Sequence, residues 1–222
     1  MVGAGVTYAQ VVADLAELLP GLAIASRTVG SPQIRNRGTV AGNLGSASPA
    51  GDAHPPLLAA GAVVEAESVR GSRKIPVAEF FTGVKRHALE PDELIRAVHV
   101  PAASGPQQFA KIGTRNAMVI AVTSFAIALH PDRQEVGTGL GSAAPTPRPA
   151  AEAEAYLAGE LDWAGRSRPA EDVVRRFGEL VAAAAEPIDD VRGSAAYRRH
   201  ALAVMARRTL GWAWNDYRGS AA

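Results

Sequence analysis

The sequence predicts an α+β protein built as two lobes, on three observations. A capped helical stripe near the N-terminus leads into a long glycine-rich segment and a set of short strand-like runs. A polar break rich in Pro and Gly follows at residues 102–108. Beyond it, three strand-like runs precede a C-terminal third whose periodicity is helical throughout.

The elements follow in chain order. Thr7 and Gln10 match a capping box, and Val11, Leu15, Leu18 and Leu19 form the stripe of a short helix that ends at Pro20. From residue 26 to 56 the character changes, with 15 of 31 residues Gly, Ser, Pro or Asn, a composition that cannot form one regular element. Residues 57–60 fit a single helical turn after Pro55-Pro56. Residues 62–66, 73–77 and 94–100 read as short strands punctuated by Gly71, Pro91 and Pro101. After the break, residues 109–114, 117–129 and 135–140 read as three strands of a meander. Helices are expected at 150–158, 170–186 and 194–214. In the last, Tyr197, Ala201, Val204 and Met205 form one apolar face behind a Ser194 cap.

Composition narrows the function classes. A chain of 222 residues with 47% hydrophobic and 20% charged residues can bury a core and is not disordered. Lys+Arg 23 against Asp+Glu 22 gives no field that would draw nucleic acid or an anionic membrane. The absence of cysteine excludes disulfides, thiolate zinc sites, a cysteine nucleophile and iron–sulfur clusters held by this chain. The longest uncharged apolar run, residues 117–129, is broken by Thr123 and Ser124 and is too short to span a bilayer. No signal-peptide pattern opens the chain, so a cytoplasmic location is expected.

The segment with most chemistry is residues 31–52. Gly38, Gly42 and Gly45 permit close backbone approach to a ligand, and Thr39, Asn43, Ser46 and Ser48 set hydroxyl and amide groups among backbone donors. That mixture suits a pyrophosphate or a sugar hydroxyl chain, with Asp52 placed to accept from hydroxyls. An ordinary surface loop with turn chemistry is the competing reading. Gly137-Thr-Gly-Leu-Gly141 does not read as a dinucleotide loop, because Pro145, Pro147 and Pro149 stand where a helix would start. The five histidines show no metal spacing and read as surface or turn residues. Lys111, in an apolar strand, reads as a snorkelling edge residue or a group facing a cofactor. Arg198-Arg199 and Arg207-Arg208 read as a solvated helix face.

Taken in order, these segments resemble the FAD-binding medium subunit of the molybdenum hydroxylases, the aerobic carbon monoxide dehydrogenase and xanthine dehydrogenase family. The resemblance is carried by Gln33-Ile-Arg-Asn-Arg-Gly-Thr-Val-Ala-Gly-Asn43, Ser48-Pro-Ala-Gly-Asp52, Asp92-Glu-Leu-Ile95, Phe109-Ala-Lys-Ile-Gly-Thr-Arg115, Ala144-Pro-Thr-Pro147 and Pro187-Ile-Asp-Asp-Val-Arg-Gly-Ser194. It implies a second FAD-binding subdomain at residues 1–103, a mixed sheet with helices. A flavoprotein C-terminal domain follows at 107–214, a three-stranded antiparallel sheet with a helical bundle, and 215–222 is a tail.

By the same resemblance, Thr39, Val40, Ala41, Gly42 and Asn43 meet the FAD phosphates with Ser46 beside them, and Asp52 holds a cofactor hydroxyl. Val29 and Ile95 line an apolar pocket, and Lys111 lies by the isoalloxazine. No catalytic side chain and no metal ligand is expected here. The molybdenum cofactor would sit in a large partner subunit and the [2Fe-2S] clusters in a small one, in a dimer of heterotrimers. Electrons would pass through FAD to quinone, NAD or oxygen. Ala41 stands where the family has the first of two glycines. The sequence also lacks the family's Ala-Gly-Gly-x-Thr loop, so the alternative expectation is a truncated, flavin-free scaffold subunit.

Overall fold

The computed structural model describes residues 1–220. The first lobe opens with β1 (Val2–Gly3), α1 (Tyr8–Asp14) and α2 (Pro20–Thr28), and continues through α3 (Pro32–Arg35), α4 (Val40–Ser46) and α5 (His54–Ala59). It ends with β2 (Val63–Ser68), β3 (Gly71–Pro76), α6 (Val77–Phe80), β4 (Phe81–Gly83), β5 (Arg86–His87) and β6 (Leu94–His99). The second lobe comprises β7 (Gln107–Ile112), β8 (Thr123–His130), β9 (Glu135–Gly141), α7 (Ala151–Glu160), α8 (Glu171–Ala183) and α9 (Ala195–Gly219). The α+β, two-lobe architecture is the expected one.

The Thr7 capping box forms as its spacing predicts and starts α1. Pro20 opens α2 where it was expected to close the preceding helix, because a proline in the first turn lacks only an N–H that has no partner there. The first sheet has the order β1-β6-β2-β3, and every pairing is antiparallel where a mixed sheet was expected. For β2 and β3 the cause is local: only Val69 and Arg70 separate the paired Ser68 and Gly71, and a turn that short joins only antiparallel strands. Gly71, at φ +124°, supplies the backbone geometry that the turn requires.

The second sheet is the expected meander, β7-β8-β9. Its middle strand is buried along its whole length, and its alternation sorts two different neighbours. Phe125, Ile127 and Leu129 pack with Phe177, Leu202, Leu210 and Trp214 of the helices. Ala126 and Ala128 face the other way, packing with Ala25 of α2 and Ala59 of α5. On β8 the seam between the lobes is therefore lined with the smallest side chains, beside Phe109 of β7. On β9 it has none: a Cβ on Gly137 would lie 2.0 Å from the Ala59 carbonyl oxygen, and one on Gly139 2.1 Å from that of Pro55. The glycine run that mimicked a nucleotide loop is a strand face stripped to let α5 lie directly on it.

Other expectations shift at element ends. Residues 117–120 are a turn and not the start of a strand; Met118 has φ +51°, and Arg115 donates to the carbonyls of Ala117 and Met118. Helix α9 runs to Gly219, so most of the expected tail is helical, and residues 221–222 lie outside the described residues. Tyr197 is exposed, while the buried stripe of α9 runs from Ala201 through Met205, Leu210 and Trp214 to Tyr217. No helix among the described residues is long and apolar enough to cross a membrane.

Gly139→Ala should destabilise the chain by about 3 kcal/mol, since the added methyl has only backbone to displace. Gly159→Ala in α7, where a Cβ meets nothing within 4 Å, should be neutral or stabilise by up to about 1 kcal/mol. Urea denaturation of both variants checks the pair; equal midpoints would contradict the packing account.

Candidate functional site

The glycine-rich segment is a run of one-turn and two-turn helices, each capped by its own short polar residue. Ser31 accepts from the Ile34 amide to start α3. Gly38 then closes that turn onto the Ile34 carbonyl and accepts from the Tyr8 amide, which docks the segment on α1. Thr39 caps α4, its hydroxyl accepting from the Gly42 amide at 2.9 Å. Ala47, at φ +43°, ends α4 and turns the chain into 48–52.

Asn43 ties the two halves of the segment. Its side-chain oxygen accepts from the Ala53 amide at 3.4 Å, and its carbonyl accepts from His54 Nε2 at 3.1 Å. His54 was read as a surface or turn residue; it is fully buried, its ring 4.6 Å from that of Phe81. A Cβ on Gly51 would lie 2.3 Å from the imidazole, so the ring occupies the space that this glycine leaves. Burial lowers the His54 pKa to about 4, keeping it neutral, with the proton on Nε2 where the carbonyl accepts it. His130 is buried as well and bonds the Ala59 carbonyl, so it too is part of the seam.

Asp52 is where the lobes meet electrically. Its Oδ2 accepts from Lys111 Nζ at 2.5 Å and from the Thr28 hydroxyl at 3.1 Å, and Lys111 also donates to the Thr28 carbonyl. Both side chains of the pair are only 8% exposed. Lys111 is thus neither a snorkelling edge residue nor free; it is the second lobe's contribution to a buried ion pair. Burial pushes the Asp52 carboxyl up and Lys111 draws it back. Asp52 Oδ1 and the Tyr8 hydroxyl, both buried, have no hydrogen-bond partner among the described residues. Burial first, then the charge of Asp52, raises the Tyr8 hydroxyl.

A second ion pair, buried on its arginine side only, supports the segment from behind. Arg198, expected on a solvated face, is buried and bonds Asp190 at 2.6 Å, while Arg199, Arg207 and Arg208 are exposed as expected. Arg198 also donates to the Ser142 carbonyl, and the Ser142 amide donates to the Pro49 carbonyl. The Pro187–Ser194 motif therefore braces the 48–52 turn.

The anticipated site residues fall into three positions. Thr39, Val40, Ala41, Gly42 and Asn43 share the first turns of α4, with Val40 and Ala41 buried. The Ala41 methyl is therefore covered by protein and does not stand over the exposed turn. Asn43 links this group through Ala53 to Asp52 and Lys111. Val29, at the end of α2, and Ile95, on β6, pack on the apolar core of the first lobe, and β6 lies against α4. Ser46 sits at the far end of α4, about 10 Å along the helix from Thr39, donating to the Asn43 carbonyl.

Thr28, Tyr8 and His54 were not foreseen. The first two lie outside the glycine segment, and only the Gly51 to His54 spacing carried a signal. Lys111 also forms one wall of a cleft of about 370 Å³ lined by Arg27, Thr28, Arg35, Arg115 and Met118. No group of three metal-ligating side chains exists among the described residues.

Comparison with known proteins adds an independent measure. Residues 1–103 match the family model for the FAD binding domain in molybdopterin dehydrogenase, and residues 108–213 that for the CO dehydrogenase flavoprotein C-terminal domain. The nicotine 6-hydroxylase medium subunit of Paenarthrobacter nicotinovorans is 33% identical over 94% of this chain and 72% of its own length. The carbon monoxide dehydrogenase medium chain of Afipia carboxidovorans is 31% identical over 88% of this chain and 67% of its own. Among solved structures, reconstituted CO dehydrogenase from Oligotropha carboxidovorans superposes with a TM-score of 0.85 at 27% identity, covering 95% of this chain and 73% of that one.

Two stability measurements test the site as built. Lys111→Met should cost about 3–5 kcal/mol by stranding the Asp52 charge, and adding Asp52→Asn should recover most of it. A double-mutant cycle by urea denaturation that finds the two losses additive would refute the pairing. The second concerns pH. An imidazole held to about 4 in the fold against 6.5 unfolded favours the native state above pH 6.5, and that contribution, about 3 kcal/mol, is lost as pH falls towards 4. Asp52, raised by burial, acts in the opposite sense, so the slope is read as wild type minus His54→Gln.

Proposed function

This chain belongs to the FAD-binding medium-subunit family of the molybdenum hydroxylases, and from that premise we propose that it holds FAD as the electron-transfer subunit of such a complex. Electrons from iron–sulfur clusters in a small partner subunit, reduced by a molybdenum-bearing large subunit, would leave through the flavin to quinone, NAD or oxygen. The complex would be cytoplasmic and a dimer of heterotrimers.

The observation that carries the reading is the state of Asp52. Its Oδ2 is fixed by Lys111 and Thr28, whereas Oδ1 is buried with no partner and the Tyr8 hydroxyl is likewise unpaired. Buried acceptors are almost always satisfied, so an unpaired carboxylate oxygen fits a ligand hydroxyl. The group is joined by Asn43 to the capped turn at Thr39, whose first-turn amides suit a phosphate. The residues therefore fit the cofactor: Thr39 and the start of α4 for its phosphates, with Gly42 and Asn43 shaping that turn, Asp52 for a hydroxyl, Val29 and Ile95 for apolar contact, and Lys111 near its ring.

Bound there, the flavin supplies the redox chemistry. The chain's own groups bind and orient it. Lys111 and Thr28 fix the carboxylate rotamer, the neutral His54 holds the Asn43 carbonyl, and the seam excludes water behind Asp52.

Flavin absorbance of the purified complex tests this directly. Thr39→Val should weaken FAD binding about tenfold, and Asp52→Ala with Lys111→Met, which removes both charges together, about tenfold to a hundredfold. Full flavin content in both variants would defeat the assignment.

A further inference from the structure

Tyr8 is buried in the first lobe with an idle hydroxyl. Its ring packs in the apolar core there, yet the hydroxyl has no hydrogen-bond partner among the described residues. Phe80 and Phe81 stand in the same core, so packing alone calls for no hydroxyl. Tyr217, also deeply buried, donates to the Trp163 carbonyl at 3.1 Å, the usual outcome for such a group. A tyrosine that is 3% exposed and unpaired is the exception that needs a cause.

The residue is anchored on the glycine-rich segment. Its amide donates to the Gly38 carbonyl at 3.0 Å, and a Cβ on Gly38 would lie 3.4 Å from its ring. A backbone bridge between Thr7 and Thr39 joins the start of α1 to the start of α4. The hydroxyl itself lies within the field of Asp52; burial first, and then that charge, keeps it protonated and so a donor. Asp52 Oδ1 is likewise buried without a partner, while Oδ2 is taken by Lys111 and Thr28. Lys111 and Thr28 also line the cleft of about 370 Å³, so Asp52 stands directly behind its wall.

An idle donor near an idle charged acceptor has a narrow chemical complement. A hydroxyl answers both, donating to the carboxylate while its oxygen accepts from the tyrosine. A phosphate brings like charge against Asp52, and a methylene leaves both atoms unpaired. We propose, on the strength of the flavin reading of Asp52, that Tyr8 is a specificity-determining residue of the site. Its hydroxyl and Asp52 Oδ1 together grip one neutral hydroxyl of the cofactor and refuse an anion. That hydroxyl has two sources, the ribityl chain and the ribose of the ADP half.

Tyr8→Phe in the full chain removes the hydroxyl and keeps the ring. FAD affinity, read by quenching of flavin fluorescence, should fall about tenfold. The Tm of the flavin-free chain should stay level or rise, since only an unpaired hydroxyl is lost. A role confined to the fold gives the reverse, a lower flavin-free Tm with FAD affinity unchanged, and overturns the proposal. Combined with Asp52→Asn, the loss in affinity should be smaller than the product of the two single losses, because both groups hold one hydroxyl. Independent factors count against that shared grip. FMN and ADP divide the cofactor's hydroxyls between them. A Tyr8→Phe loss confined to FMN assigns the ribityl chain, one confined to ADP assigns the ribose, and no loss with either sinks the proposal. Equal FAD binding by the unaltered chain and by Tyr8→Phe leaves the flavin reading standing and removes Tyr8 from it; no FAD binding by either removes both.

Discussion

Helix α5 can lie on β9 only because Gly137 and Gly139 put no side chain between the two backbones, and the rest of the molecule is arranged around that approach. The alanines of β8 extend the same thin seam under α2 and α5, while the large residues of that strand are turned to the helical side. Small residues bury little area apiece, so what they contribute is shape: one spacing and one register between the lobes. The 48–52 turn and His54 ride on α5, and Lys111 is carried by β7. The distance between Asp52 and Lys111 is thus set by glycines far along the chain.

Around this seam lies a set of buried polar groups that an apolar core would avoid. The Asp52–Lys111 pair, Thr28, the His54–Asn43 bond and the Arg198–Asp190 pair each carry a desolvation cost that their hydrogen bonds offset only in part. Such groups add little to stability but much to specificity, because each has one arrangement that satisfies it. Most stand where the lobes face each other, and three of the buried atoms left without a partner, Asp52 Oδ1, the Tyr8 hydroxyl and His54 Nδ1, are there too. A structure optimised for stability alone would have closed them.

Much of this was legible in the residues because it is local. The Thr7 capping box, the meander strands and the helices of the last third follow from periodicity and capping, and the order of short motifs identified the family. What could not be read was anything set across the seam. His54 and His130 look like turn residues until α5 is placed on the sheet, and Arg198 looks solvated until Asp190 and Ser142 are brought to it. The pairing of Lys111 with Asp52, 59 residues apart, has no periodic trace. Pro20 misled for a different reason: proline ends one helix and starts the next with equal ease, and only tertiary packing tells which.

The seam also governs how the chain comes apart. Two matched family domains meet here across a short connection, and the central strand of one is covered on one face by helices of the other. Separating the halves would expose one face of the second sheet and the packed faces of α2 and α5. The lobes therefore form a single cooperative unit, whose loss is global, while the exposed Arg115 turn is held by its own carbonyls. Rigidity and access are in this way assigned to different parts of one chain: the seam holds the buried charges in register, and a short turn at its edge stands exposed.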